Sequence, residues 1–163
     1  MTRPEQLKKL VRDVPDFPQP GIIFRDITPI LADKTVFREV IDLMSKHWVD
    51  KDVDHVAAIA IRLNAGFIPI RKAGKLPWRV LSHSYQLEYG TDQLDVHEDA
   101  LTRDDRVLIV DDVLATGGTA AAAVELVRKL GGDVVGVQVL IELSALSGRK
   151  RLSGIDVVSE LVY

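Results

Sequence analysis

Apolar positions along this chain fall into two rhythms. Val107–Val110 is an unbroken apolar run, Val56–Ile59 reads the same way, and Phe67–Ile70 and Val134–Ile141 are largely apolar. Short runs of this kind, rich in β-branched residues, predict strands buried on both faces. Ile22–Phe24 predicts a short extended piece, and Ile155–Tyr163 a last strand. Between them lie helical spacings. Leu7, Leu10 and Val11 share one face of a helix capped by Thr2, with Pro4 and Glu5 in its first turn, ending near Asp13. Asp33 caps a second helix to about Val49, with Val36, Phe37, Val40, Ile41, Met44 and Trp48 inward. A third runs from about Ala120 to Gly131, and Ser144–Leu152 predicts a short fourth. Between the first two helices, DVPDFPQPG is too rich in proline for a helix or a central strand. The sum is one α/β domain, residues 1–163.

One junction resists this reading. Only Ala60–Gly66 joins the strands at Val56–Ile59 and Phe67–Ile70. Parallel neighbours need a crossover of roughly a dozen residues, normally a helix. Either the pair is not parallel or its crossover is shortened.

The chemistry concentrates in VLIVDDVLATGGT, Val107–Thr119. A buried strand ends at Asp111 and Asp112, and a small-residue loop, Ala115, Thr116, Gly117, Gly118 and Thr119, leads into the third helix. Free N–H groups and the positive end of a helix favour a phosphate in such a loop, and the two acids can meet hydroxyls or a metal. No Lys follows the glycines, and the GxGxxG spacing is missing, so neither a nucleoside-triphosphate loop nor a dinucleotide fingerprint is present. The motif therefore points to a phosphorylated sugar.

Bulk properties narrow the setting. The 163 residues carry a net charge of −3, which gives no global basic field for nucleic acid. Cysteine is absent, which removes disulfides and thiolate chemistry and suits a reducing compartment. The first residues show no apolar signal core and no segment is long enough to cross a bilayer, so a cytoplasmic protein is expected. The four His are scattered without metal-ligand spacing.

Two polar segments complete the candidate chemistry. Ile70–Pro77, IRKAGKLP, sets Arg71, Lys72 and Lys75 just beyond a strand as an anion site. The stretch from Arg71 to His97 lacks a helical period and forms a long excursion. Within it, Glu88, Tyr89 and Gly90 suit a mobile hairpin that closes over a site, with Glu88 as candidate acid or hydrogen-bonding group.

Taken together, VLIVDDVLATGGT resembles the phosphoribosyl-pyrophosphate motif of type I phosphoribosyltransferases. FPQPGIIFRDITPIL, RKAGKLP and SYQLEYGTDQLDVHEDAL are similar to the adenine-using branch of that family, in collinear order over nearly the whole chain. The resemblance implies a mainly parallel central sheet flanked by helices, with a flexible hairpin hood over residues 71–100 and a base-binding N-terminal segment, 1–33. It implies transfer of phosphoribosyl to adenine, giving AMP and pyrophosphate, with Mg²⁺ and a homodimer. By resemblance, residues 115–119 hold the 5′-phosphate and Asp111 and Asp112 the ribose hydroxyls, near the metal. Arg71, Lys72 and Lys75 meet pyrophosphate. Ile23, Phe24, Arg25 and Leu143 line the adenine pocket, Glu88 interacts with a base nitrogen, and Tyr89 lies beside it. No nucleic acid or membrane partner is implied.

The chain departs from the family where the junction is short. Relatives follow the strand matching Val56–Ile59 with an Arg-Gly loop that contacts pyrophosphate, and then a helix. Here Ile59 runs directly into AIRLNAGFIPI. That departure leaves a second reading open, a phosphoribosyl- or nucleotide-binding regulatory protein of the same fold with impaired or no catalysis. Trp78-Arg79 is also unusual for the family.

Overall fold

The structure is a computed structural model describing residues 3–17, 19–56, 60–86 and 90–163. The chain divides into two compact units, Met1–Leu43 and Met44–Tyr163.

The first unit opens with α1, Arg3–Lys8, which ends earlier than its apolar spacing predicts. The chain then turns into β1, Arg12–Pro15, paired antiparallel with β2, Ile23–Asp26. A two-stranded ribbon has only edges, which is where proline-bearing strands are tolerated. A short helix α2, Thr28–Ala32, was not evident from the pattern; Pro29 lies in its first turn, and Asp26 accepts the Thr28 N–H at 2.8 Å. Helix α3, Lys34–Lys46, starts as expected, because Asp33 Oδ1 accepts the N–H groups of Thr35 and Val36 at 2.8 and 3.1 Å. It stops before Val49, which is exposed.

The second unit is built on a five-stranded sheet. Its strands are β3 (His55–Val56), β4 (Gly66–Phe67), β8 (Arg106–Leu114), β9 (Asp133–Glu142) and β10 (Val157–Val162). They run in the order β10-β9-β8-β3-β4, every neighbouring pair parallel. Helix α4, Gly118–Leu130, is the crossover from β8 to β9. Ala122, Ala123, Leu126 and Val127 of α4 pack with Val107, Ile109, Val137 and Val139 in one buried cluster. Each fully buried aliphatic side chain contributes about 1.5–3 kcal/mol. Gly131 ends α4 at φ 95°; its N–H reaches Arg128 O, and the Gly132 N–H reaches Val127 O at 3.0 Å, satisfying two terminal carbonyls.

Trp48 covers the β9 backbone at Gly136, where a Cβ would lie 2.1 Å from the indole. Its Nε1 donates to Gln138 Oε1 at 2.7 Å, and Gln138 donates to Val139 O and Glu160 Oε1, each at 3.1 Å. Gln138 is fully buried with its amide satisfied.

The excursion after residue 70 holds the expected antiparallel pair and a third strand. β5 (Arg71–Lys72), β6 (Val80–Gln86) and β7 (Thr91–His97) form a second, antiparallel sheet in the order β5-β7-β6. Leu94 and Val96 of β7 anchor it in the core cluster with α4. Ser144–Leu152 is not one helix but two 3₁₀ turns, Ser144–Leu146 and Gly148–Leu152, separated by Ser147 at φ 54°. The short junction resolves as a parallel pair: β3 and β4 align with His55 opposite Gly66, and a 3₁₀ turn, Ala60–Leu63, stands where a crossover helix would be. β4 keeps Gly66–Phe67, with Ile68–Ile70 outside any strand, and from 57 to 59 the expected strand Val56–Ile59 lies outside the described residues.

Gly136→Ala is expected to destabilise the fold by about 2–3 kcal/mol, because the indole must move and lose its bond to Gln138. Urea unfolding followed by tryptophan fluorescence measures this; an unchanged midpoint would contradict the packing described.

Candidate active site

The acidic pair lies inside β8, not beyond it. The strand continues through Asp111 and Asp112 to Leu114, because Asp111 pairs with Val139 and Val113 with Ile141 on the longer β9. Asp111 is half-buried and Asp112 exposed. Burial, followed by the neighbouring Asp112 charge, pushes the Asp111 carboxyl up to about 6. Asp111 Oδ1 accepts the Asp112 N–H at 3.0 Å, which offsets part of that effect.

After Leu114 the chain makes a three-residue turn, Ala115 to Gly117, and enters α4 at Gly118, earlier than the expected Ala120. Gly117 adopts φ 78°, ψ 3°, a left-handed conformation that suits glycine. No side chain caps this end of α4, so its first N–H groups and its positive dipole end belong to the loop. Thr119 is exposed on the first turn. The geometry matches an anion cradle built from backbone donors and threonine hydroxyls.

The cationic segment is connected to this loop by a polar chain. Lys72 pairs with Asp92 across the second sheet at 3.0 Å. Tyr85 Oη lies 3.5 Å from Asp92 Oδ2 and 3.3 Å from Thr119 Oγ1. The hydrogen bond to Asp92, followed by the Asp92 charge, raises the Lys72 ammonium above its usual range, and the Lys72 bond, followed by the Gln93 N–H bond, lowers the Asp92 carboxyl. Arg71 sits beside Lys72 on β5, and Lys75 is exposed on the following turn. That turn is held by Asp95, 3% exposed, which accepts from the Gly74 N–H at 3.0 Å, Ser82 Oγ at 2.7 Å and Gln93 Nε2 at 3.0 Å. The Gln93 bond leads these three in keeping the carboxyl below the usual range despite its burial.

Leu143 follows β9 directly. Its N–H donates to Leu114 O at 2.9 Å, so it stands beside the start of the glycine loop. Ile23, Phe24 and Arg25 lie on β2 in the first unit. Phe24 is half-exposed and meets Phe17 edge-to-face at 5.4 Å; Arg25 pairs with Asp13. Glu88 and Tyr89 lie outside the described residues. The second unit thus contains residues 111–119, Arg71, Lys72, Lys75 and Leu143, of which Lys72 is linked to Thr119 through Asp92 and Tyr85 and Leu143 bonds to Leu114. Sequence reasoning missed Tyr85, Asp92 and Asp95, whose roles arise from cross-strand pairing. The alternation of SHSYQ and TDQLDVH was the available signal.

Because the Asp111 carboxyl is raised on folding, its ionisation costs stability. The cost is absent below its ordinary value of 3.8 and grows as pH rises to about 6. Asp111→Asn is expected to remove that slope and to make the protein more stable than wild type at pH 7. Urea midpoints taken between pH 4 and pH 7 test this; parallel curves for the two proteins would refute it.

Comparison with known proteins places this geometry. Residues 53–161 match the family model described as Phosphoribosyl transferase domain. An adenine phosphoribosyltransferase of Thermotoga neapolitana is 55% identical over 168 residues, covering 96% of this chain and 99% of the relative. That aligned span exceeds this chain's own 163 residues, so the relative carries additional residues within it. The crystal structure of the Rhodothermus marinus adenine phosphoribosyltransferase is 46% identical with a TM-score of 0.93, covering 98% of each chain. The Saccharomyces cerevisiae enzyme, complexed with an imino-altritol bisphosphate and adenine, is 34% identical with a TM-score of 0.90, covering 97% of this chain and 98% of its own. With a glycine cradle at the head of α4, an acidic pair on β8 and this level of identity, the chain belongs to the adenine phosphoribosyltransferase family.

Proposed function

We propose that this protein transfers the phosphoribosyl group of 5-phospho-α-D-ribose 1-diphosphate to adenine, forming AMP and pyrophosphate. The observation that carries the reading is the junction of β8 and α4, where two carboxylates and an uncapped helix N-terminus stand a few residues apart. Adenine bound to the yeast relative supports the choice of base. AMP, pyrophosphate and ribose 5-phosphate bound to the Trypanosoma brucei relative support the rest of the reaction.

The reaction breaks the bond between the anomeric carbon and pyrophosphate oxygen and forms one to a base nitrogen. Positive charge develops on the sugar between these events, so orientation and electrostatics dominate. In this proposal Ala115 to Thr119 fix the 5′-phosphate through backbone N–H groups and hydroxyls. Asp111 and Asp112 accept the ribose hydroxyls and place negative charge beside the developing cation. Hydroxyl donors and nearby positive charge reverse what holds the Asp111 carboxyl up, so substrate favours its ionised form. Arg71, Lys72 and Lys75 receive the departing pyrophosphate. Ile23, Phe24, Arg25 and Leu143 hold the base, with Phe24 available for stacking. Glu88 accepts a proton or hydrogen bond from the base nitrogen, with Tyr89 beside it.

Among the described residues, no three His, Cys, Asp or Glu side chains gather into a metal cage. Two adjacent carboxylates do fit Mg²⁺, which is commonly held by one or two carboxylates together with substrate phosphates and water. When bound, Mg²⁺ would neutralise pyrophosphate charge, with Asp111 and Asp112 as its protein neighbours. We also propose that residues 1–163 act as one phosphoribosyltransferase domain, in a cytoplasmic homodimer. The absence of cysteine is compatible with a reducing compartment.

A coupled assay for AMP with adenine, phosphoribosyl pyrophosphate and Mg²⁺ tests the activity. No turnover, with AMP still raising the melting temperature, would favour the non-catalytic reading. Hypoxanthine used as readily as adenine would remove the base assignment. The double variant Asp111→Asn, Asp112→Asn is expected to lower turnover by about 10²-fold or more while remaining folded. In wild type, affinity for phosphoribosyl pyrophosphate is expected to weaken as pH falls through about 6; a flat profile would argue against ionised Asp111 as the sugar-binding form. Sedimentation as a single 18.1 kDa species at assay concentrations would exclude the dimer.

A further inference from the structure

We propose that the 3₁₀ turn Gly148–Leu152 is the positioning element of the phosphate loop, with Gly148 as its contact surface and Arg149 as its clamp. The proposal rests on the reading of residues 115–119 as the 5′-phosphate cradle.

The contact is backbone against backbone. A Cβ on Gly117 would lie 2.4 Å from Gly148 O, and one on Gly148 would lie 2.2 Å from Ala115 O and 2.8 Å from Gly117 N. Neither clash can be relieved by rotating a side chain, because the nearest neighbours at both positions are main chain. Gly148 is buried, so the loop rests directly on this turn. Gly117 is the left-handed residue that sends the loop into α4. The turn beneath it therefore fixes where the first N–H groups of the helix point.

The turn is itself held rigidly from its far side. Arg149 Nε donates to Glu142 Oε1 at 3.0 Å and Nη2 to Glu142 Oε2 at 2.6 Å, a bidentate pair. Nη1 donates to Val157 O at 2.6 Å, and Nη2 also reaches Ser159 Oγ at 3.0 Å. Ser159 Oγ donates to Glu142 Oε2 at 2.6 Å. One guanidinium thus joins the end of β9, the start of β10 and the turn. Leu152, 2% exposed, plugs the other end into the core. At its head, the segment is tied to the loop by the Leu143 N–H bond to Leu114 O.

The stretch from Leu143 to the turn therefore has two neighbours in the proposed site. Leu143, assigned to the base, lies ahead of the turn, and Gly148 at the start of the turn carries the phosphate loop. The segment sets the spacing between the two ends of the nucleotide. No part of it touches the reacting atoms, so Gly148 and Arg149 are positioning residues.

Steady-state kinetics of Gly148→Ala and Arg149→Lys, with Thr116→Ala as a loop reference, test the proposal. The methyl group of Gly148→Ala must push the loop by about 1 Å, a displacement that can cost up to about 10²-fold. The expected result is a rise of about tenfold or more in KM for phosphoribosyl pyrophosphate, with the KM for adenine within about threefold of wild type. Calorimetric affinity for ribose 5-phosphate should fall in parallel. Arg149→Lys keeps the charge but loses the bidentate fork, and should show the same split more weakly. If Gly148→Ala fails to fold, Arg149→Lys decides by the same readings. Wild-type kinetics in a folded Gly148→Ala, or an equal rise in both KM values, would overturn the proposal. If Thr116→Ala weakens ribose 5-phosphate binding while the other two variants do not, the positioning role alone fails. If none of the three alters that affinity, the cradle reading fails with it.

Discussion

The pairing of β8 with β9 is the constraint on which the second unit depends. Two long parallel strands must be joined by a crossover, and α4 supplies it while covering one face of both. This places the end of a central strand and the start of a helix at one point. The strand brings carboxylates to that point, and the helix brings unsatisfied N–H groups and a positive dipole end. Opposite electrical demands meet within a few residues, as a sugar phosphate requires.

That meeting is costly to the free protein. A half-buried carboxylate beside another is disfavoured, as the elevated Asp111 value shows. An uncapped helix end and a left-handed Gly117 add nothing to stability by themselves. The surroundings offset these costs through bonded groups: buried Trp48 with Gln138 behind β9, buried Asp95 beneath the lysine turn, and the exposed Arg149 with Glu142 beside the loop. The site is therefore strained where substrate would bind and rigid one layer behind.

At the other end of the sheet β3 and β4 are parallel; among the described residues His55 lies opposite Gly66 and Val56 opposite Phe67, with a 3₁₀ turn, Ala60–Leu63, between the strands. Gly66 is what allows the approach, since a Cβ there would meet the His55 ring at 2.5 Å.

The sequence by itself determined the elements whose physics is local. The apolar stretches Val107–Val110 and Val134–Ile141 specified β8 and β9, Asp33 specified the start of α3, and the glycines marked the loop before α4. Chain length alone also singled out the short junction after Ile59, leaving open whether the pair was not parallel or its crossover shortened. Tertiary structure decided what depends on partners distant along the chain. Residues 71–97 lack a helical period and read as a hairpin excursion outside the core, but pairing with a third strand and Leu94 and Val96 in the core make them an anchored sheet. β8 extends through Asp111 and Asp112 only because β9 is long enough to pair with it. Ser144–Leu152 is read as one short helix, yet it forms two 3₁₀ turns divided at Ser147, φ 54°, with Arg149 bonded to Glu142, Val157 and Ser159 on β9 and β10. Gly148 carries no periodic signal at all; its importance arises only where another stretch of backbone comes within 3 Å of the place its side chain would occupy.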